Sequence, residues 1–180
     1  MMFKHLFSSL HTLRLHRSLL AAAVLAFILV GGRASANGDG ASITIPSLDL
    51  TAPIVNLPLD NNLGTWNTAQ LGDNVGHFQY TPWLGENGNI VLGGHATAED
   101  GTPSVFYALP ALEVGDLITI RVGDQDVNYV VRRIRSVGVN DLSVLYSGSG
   151  ETLTLLTCSG FNADTRTYER RLAIVADRVT

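Results

Sequence analysis

Apolar and polar residues alternate with a period of two along most of this 180-residue chain beyond residue 41. That period belongs to strands with one buried face. Ser42-Ile43-Thr44-Ile45 and Ala52-Pro53-Ile54-Val55-Asn56-Leu57 predict the first two strands. A Gly/Asn/Asp-rich loop runs from Asp60 to Asn74, Val75 to Tyr80 predicts a half-buried strand, and Pro82 to Gly88 a turn-rich loop. Asn89 to Gly94 predicts a strand with His95 at its exit. Ser104 to Leu109 predicts a short helical turn stopped by Pro110. Leu117 to Val122 and Val127 to Val139 predict two longer strands around a Gly123-Asp124 hairpin turn. Val139 to Gly150 reads as a loop with a helical turn at Asp141 to Leu145. Leu153 to Thr157 predicts a buried strand with Cys158 at its tip. Arg171 opens the last strand, Arg171 to Ala176, after a connection from Ser159 to Tyr168. About eight short strands, one or two helical turns and frequent turn residues predict an all-β closed barrel or sandwich.

The first 36 residues follow a different pattern. Lys4, Arg14 and Arg17 precede an apolar stretch from Leu19 to Val30, and Arg33-Ala34-Ser35-Ala36-Asn37 ends in small residues. Positive flank, short apolar segment and small-x-small site describe a signal peptide with Ala36 as cleavage edge, or an uncleaved signal anchor. The apolar segment is shorter than the roughly 20 residues of a spanning helix, which favours cleavage. Either way the body of the protein is exported: membrane-associated through its N-terminus if the leader stays, secreted if it is cut. Residues 37–41 read as a Gly-containing linker and 42–180 as one domain.

Charge sharpens the division. All 16 acidic residues lie beyond residue 36, with eight arginines and no lysine, so the body carries a net −8. So acidic a domain is a poor partner for nucleic acid. The missing lysines fit a compositional bias; they also fit an enzyme that passes acyl groups to amines and carries no competing amine. Arg132, Arg133 and Arg135 form a basic run within one predicted strand. Regular alternation turns Arg132 and Arg133 to opposite sides, the pattern of a solvated edge more than of a phosphate patch.

Cys158 is the single cysteine, so no intrachain disulfide and no multi-cysteine zinc site can form. A lone cysteine is often a small buried hydrophobe. Here it shares strand-end positions with an imidazole, His95, and a guanidinium, Arg171. A thiol of ordinary pKa, about 8.5, is only a few per cent thiolate at neutral pH. An imidazole can pair with the thiolate or protonate a leaving amine. A guanidinium can stabilise the oxyanion that forms when the thiolate attacks an amide; one such donor is typically worth about 2.7–4 kcal/mol. Only His77 and His95 lie beyond the leader. His77, between Gly76 and Phe78, reads as a partly exposed structural histidine; His95, after Gly93-Gly94 at a strand exit, reads as the active-site one. Gly93-Gly94 is no phosphate loop, since neither Gly-Lys-Ser/Thr nor a helix follows. Arg170 and Arg171 point to opposite faces of a strand, so only one can reach the site.

Three blocks carry a resemblance. Gly88-Asn89-Ile90-Val91-Leu92-Gly93-Gly94-His95, Thr154-Leu155-Leu156-Thr157-Cys158 and Tyr168 to Ala176 are similar to the Gly-Asn…Gly-His, Thr-Leu-x-Thr-Cys and closing Arg-strand segments of the sortases. From about Ile43 to Val179 the chain resembles that family of bacterial-surface cysteine transpeptidases. The resemblance implies an eight-stranded β-barrel, with Cys158 as nucleophile, His95 as general acid/base and Arg171 as oxyanion and substrate support. Thr157 is expected to line the site beside Cys158, unless it is simply a β-branched strand residue. The implied substrate is a surface protein with a C-terminal sorting signal of the Leu-Pro-x-Thr-Gly kind. Its acyl group passes through a thioester to an amine, either of a cell-wall precursor or of a pilin lysine. No cofactor is implied. Asp73, Glu86 and Glu99 are too scattered for the calcium site that some members use, so no metal is expected. Ala96 stands where many sortases have Arg or another polar residue, which bears on subclass. The Val139 to Gly150 loop, which borders the peptide groove in the family, carries no readable code for the sorting sequence. The alternatives are a thiol hydrolase or protease using water as acceptor, and a secreted β-barrel binding module with an inert buried cysteine.

Overall fold

The computed structural model describes residues 40–146 and 150–179; the predicted leader, 1–36, lies outside them. Ten strands form: β1 (Ala41–Ile45), β2 (Leu50–Leu57), β3 (Leu59–Asp60), β4 (Thr65–Trp66), β5 (Val75–Phe78), β6 (Gly88–Gly93), β7 (Leu117–Val122), β8 (Gln125–Gly138), β9 (Glu151–Asn162) and β10 (Thr167–Val179). Eight close into a barrel in the order β1-β2-β5-β6-β9-β10-β8-β7, while β3 and β4 make a separate two-stranded hairpin. Closure leaves β1 hydrogen-bonded to both β2 and β7. The pairs β2–β5 and β6–β9 are parallel and the remaining barrel pairs antiparallel. Among the described residues no helix is long and apolar enough to cross a membrane.

Inward-facing positions of every second residue fill the barrel. Ile43, Ile54, Ile90, Leu92, Ile120, Leu153, Leu155 and Ile174 belong to this one core and are at most 2 % exposed. The outward positions of four neighbouring strands form a second, smaller cluster: Val91 of β6, Leu156 of β9, Ala173 of β10 and Val137 of β8. Val144, in the connection between β8 and β9, packs onto that cluster. A sheet with both faces covered explains why β6 reads as an almost continuous apolar run.

Several local expectations change. Among the described residues three 3-10 turns are seen, Pro46–Leu48, Leu109–Ala111 and Leu142–Leu145, against the one or two expected. Pro110 sits within the first positions of its turn and does not stop it; there its missing N–H has no partner to lose. The turn beginning at Leu142 is capped by Asp141, whose carboxylate accepts from the Ser143 N–H. Hydrogen bonds from Ser143 lead in holding the Asp141 carboxyl below the usual range. β5 is buried along most of its length, not half-buried, because it lies between β2 and β6. Asp60–Asn74 is not only a loop but carries the β3–β4 hairpin. β9 and β10 run well past the predicted ends, with Phe161 opposite Tyr168 and their rings 5.2 Å apart. Arg132 is the extra residue of a β-bulge: Arg133 pairs with Val175, but the next β10 residue, Ala176, pairs with Val131.

One buried acid knits the barrel end. Glu151 accepts from the Tyr129 hydroxyl at 2.6 Å, from Arg178 Nη1 at 3.0 Å and from the Gly85 N–H at 3.0 Å. Tyr129 is fully buried, and burial followed by the bond to Glu151 raises its pKa. Replacing Glu151 by alanine strands that hydroxyl and costs about 1.5–3 kcal/mol, read as a lower urea midpoint. Adding Tyr129→Phe to that variant is expected to cost less than Tyr129→Phe does in the parent, because the shared bond is already gone.

Candidate active site

β6 and β9 run side by side, and their last paired residues are Gly93 and Leu156. Two positions farther along each chain stand His95 and Cys158. Two hydrogen bonds continue the junction beyond the ladder: the Gly94 N–H donates to the Leu156 carbonyl at 3.1 Å, and the Thr157 hydroxyl donates to the Gly94 carbonyl at 2.8 Å. Thr157 is 3 % exposed and lines the groove beside Cys158. Its hydroxyl couples the exit of β6, which carries the imidazole, to the stretch of β9 that carries the thiol.

The third group arrives from the other side of β9. Arg171 of β10 is the direct cross-strand partner of Cys158, so both side chains leave the same face. Arg170 lies on the opposite face, where its Nε donates to Ser136 Oγ at 2.6 Å and its Nη2 to the Ser136 carbonyl at 2.8 Å. Cys158, His95 and Arg171 together line a groove of about 650 Å³. Each is half-buried, so the thiol is neither sealed in the barrel nor on its far side. A nucleophile, a proton carrier and a fixed cation meeting at one groove can support attack on a carbonyl and departure of an amine.

One wall of this groove was not foreseen. The β3–β4 hairpin supplies Trp66, whose indole N–H donates to the Gln79 carbonyl and whose ring lies 4.8 Å from that of Phe78. Just after it, the Thr68 carbonyl accepts from His95 Nε2 at 3.1 Å. A carbonyl only accepts, so the neutral ring carries its proton on Nε2 and leaves Nδ1 as the basic nitrogen. The 3-10 turn Leu142–Leu145, within the loop expected to border the groove, also lines it. The apolar residues Leu63, Trp66 and Leu71 inside an otherwise polar loop were the available signal.

His77 proves to be the structural histidine, but buried and not partly exposed. Its Nε2 donates to the Pro82 carbonyl at 3.1 Å and its ring packs 4.6 Å from Trp83. Burial holds its pKa below the ordinary value.

Gly93 and Gly94 are required by packing. A Cβ on Gly93 would lie 2.5 Å from Phe78 Cε1, and one on Gly94 2.6 Å from Phe106 Cδ2 and 2.8 Å from Val105 Cγ1. Phe106 is fully buried and has nowhere to retreat. Gly94→Ala is therefore expected to lower stability by about 1–3 kcal/mol in urea unfolding. It is also expected to slow the reaction beyond that loss, because it displaces the residue next to His95. Unchanged stability would contradict this packing account.

Among the described residues no group of three or more His, Cys, Asp or Glu is arranged to hold a metal. Asp73 accepts from the Ser104 hydroxyl and Glu86 from the Trp83 N–H.

The chain belongs to the sortase family: a family model described as the sortase domain matches residues 43–179. It is 30% identical over 139 residues to sortase A of Staphylococcus aureus (strain NCTC 8325 / PS 47), an alignment covering 76% of this chain and 63% of that protein. The chain thus spans less than two thirds of that relative's length. In structure it is similar to a lid mutant of sortase A from Corynebacterium diphtheriae, with TM-score 0.63, 28% identity, and 78% of this chain and 69% of the other covered. A Clostridium perfringens sortase D5 transpeptidase gives TM-score 0.62 and 28% identity, covering 80% of this chain and 81% of the other.

Proposed function

We propose that the chain is a cysteine transpeptidase that cleaves a C-terminal sorting signal of the Leu-Pro-x-Thr-Gly kind in exported proteins and transfers the acyl fragment to an amine. The observation that carries this reading is the cross-strand pairing of Cys158 with Arg171 in the groove that His95 also lines. His95 Nδ1 takes the Cys158 thiol proton, the resulting thiolate attacks the threonine carbonyl carbon, and the carbonyl oxygen gains the negative charge that Arg171 stabilises. The C–N bond breaks, His95 gives a proton to the departing glycine amine, and a thioester remains on Cys158. An incoming amine attacks that thioester, His95 accepts the proton the amine sheds, and Cys158 leaves as thiolate. The acceptor is a cell-wall precursor amine or a pilin lysine. Residues 1–36 act as the export signal or membrane anchor, 37–41 as a linker and 42–180 as the catalytic domain at the outer surface.

The test is incubation of the full chain with a sorting-signal peptide, with and without a glycine peptide as amine donor. Ligated product that depends on the amine supports transfer. Hydrolysis at the same rate under both conditions assigns water as the acceptor. No cleavage, together with a thiol that resists a small alkylating reagent in the folded state, returns the chain to a binding module.

A further inference from the structure

The sheet face that bears Cys158 and Arg171 does not end at their groove. Following the same outward positions down β9 and β10 leads past Leu156 and Ala173 to Thr154, Val175 and Asp177. There a second pocket opens, of about 880 Å³, with Arg132, Arg133, Arg135 and Arg178 among its lining residues. Half of the eight arginines of an acidic domain thus converge on one concavity.

The bulge in β8 creates this arrangement. In a regular strand Arg132 and Arg133 would face opposite sides; the extra residue lets both line the same pocket. Two of the four charges are answered internally: Arg132 pairs with Asp177 at 3.2 Å and Arg178 with Glu151 at 3.0 Å. Among the described residues no salt bridge engages Arg133 or Arg135. Arg133 and Arg135 thus keep their guanidinium groups outside any ion pair, with the Asp141 carboxylate near enough to Arg135 to feel its charge. They project from one strand face two residues apart, about 6.7 Å along the strand. Ser143 and Asn87 add uncharged polar groups to the rim.

We propose that this pocket is a binding site for a phosphate-bearing anion, best matched by two linked phosphate groups. Guanidinium forks bind phosphate oxygens bidentately, and two forks at this spacing grip adjacent phosphates or one phosphate from two sides. The site stands apart from the acyl-transfer groove: the turn Leu142–Leu145 lies between them, with Leu142, Val144 and Leu145 lining the groove and Ser143 and Val144 lining the arginine pocket. Asn89 Nδ2 pins that turn by donating to the Val144 carbonyl at 2.8 Å.

The test is calorimetric titration of the full chain with inorganic pyrophosphate at low ionic strength. A parallel arm uses water-soluble dihexanoyl phosphatidylglycerol below its micelle concentration. Saturable binding of either probe is expected, weakened at least tenfold by the double substitution Arg133→Ala/Arg135→Ala and unchanged by Arg121→Ala on the β7–β8 hairpin. Tighter binding of pyrophosphate points to a free or linked diphosphate, and tighter binding of the lipid to a phosphodiester headgroup; both support the site. Arg133→Lys/Arg135→Lys keeps the charge and loses the forks, so intermediate affinity is expected. The proposal is overturned if neither probe binds saturably, or if the double alanine variant binds as the parent does. None of these readouts needs the acyl-transfer reaction, so this site and the catalytic reading fail separately.

Discussion

Cys158→Ala is expected to reduce cleavage of a sorting-signal peptide by at least about three orders of magnitude, since removing the nucleophile of a covalent mechanism leaves only binding and electrostatics. The same substitution is expected to leave the barrel intact. Cys158 lies on the outer face within β9, half-buried and outside both apolar clusters. Losing its sulfur therefore opens no cavity in the core, and the urea midpoint is expected to move by less than about 1 kcal/mol. Mass spectrometry adds a second readout: the parent chain incubated with the peptide gains the mass of the acyl fragment, and the variant does not. Retained turnover in the variant would remove the central claim. Loss of fold would instead show that the thiol is a structural residue.

Arg171→Ala is expected to lower kcat by about 10²–10³-fold, the usual cost of losing one oxyanion donor. Arg170→Ala is expected to have little effect on turnover. The contrast is the informative part, because the two residues are adjacent and chemically identical. β10 alternation sends Arg171 toward Cys158 and Arg170 toward Ser136. A role in stabilising developing charge predicts a fall in kcat larger than any rise in KM. Arg171→Lys keeps the charge but not the planar fork, so partial rescue is expected. Equal damage from both alanine variants would mean that the strand, and not a particular guanidinium, matters.

The sequence made much of this site legible because strands obey a strict period. The block ending at Cys158 and the block opening at Arg171 each alternate cleanly, so the period put Arg170 and Arg171 on opposite faces, and the register of the Cys158 block with the family resemblance favoured Arg171. What alternation cannot reveal is a single inserted residue. The bulge at Arg132 lies within an unbroken strand pattern, and it reverses the side to which one arginine points. The wall formed by Trp66 was hidden for another reason: glycines, asparagines and aspartates dominated its segment, and four paired strand residues, two in each strand, are too few to show a period. The burial of His77 depends on what packs above it. Trp83 comes from a loop whose course no local pattern fixes.

The junction between β6 and β9 has a temporal consequence. Its partners lie 63 residues apart, as between Thr157 and Gly94, and parallel pairing over such a span forms late because a long loop must close first. Until that ladder zips, the sulfur and the imidazole belong to separate regions of a nascent polypeptide. On the proposed function the reacting groups meet only once that ladder has formed, so acyl transfer waits for the barrel to close.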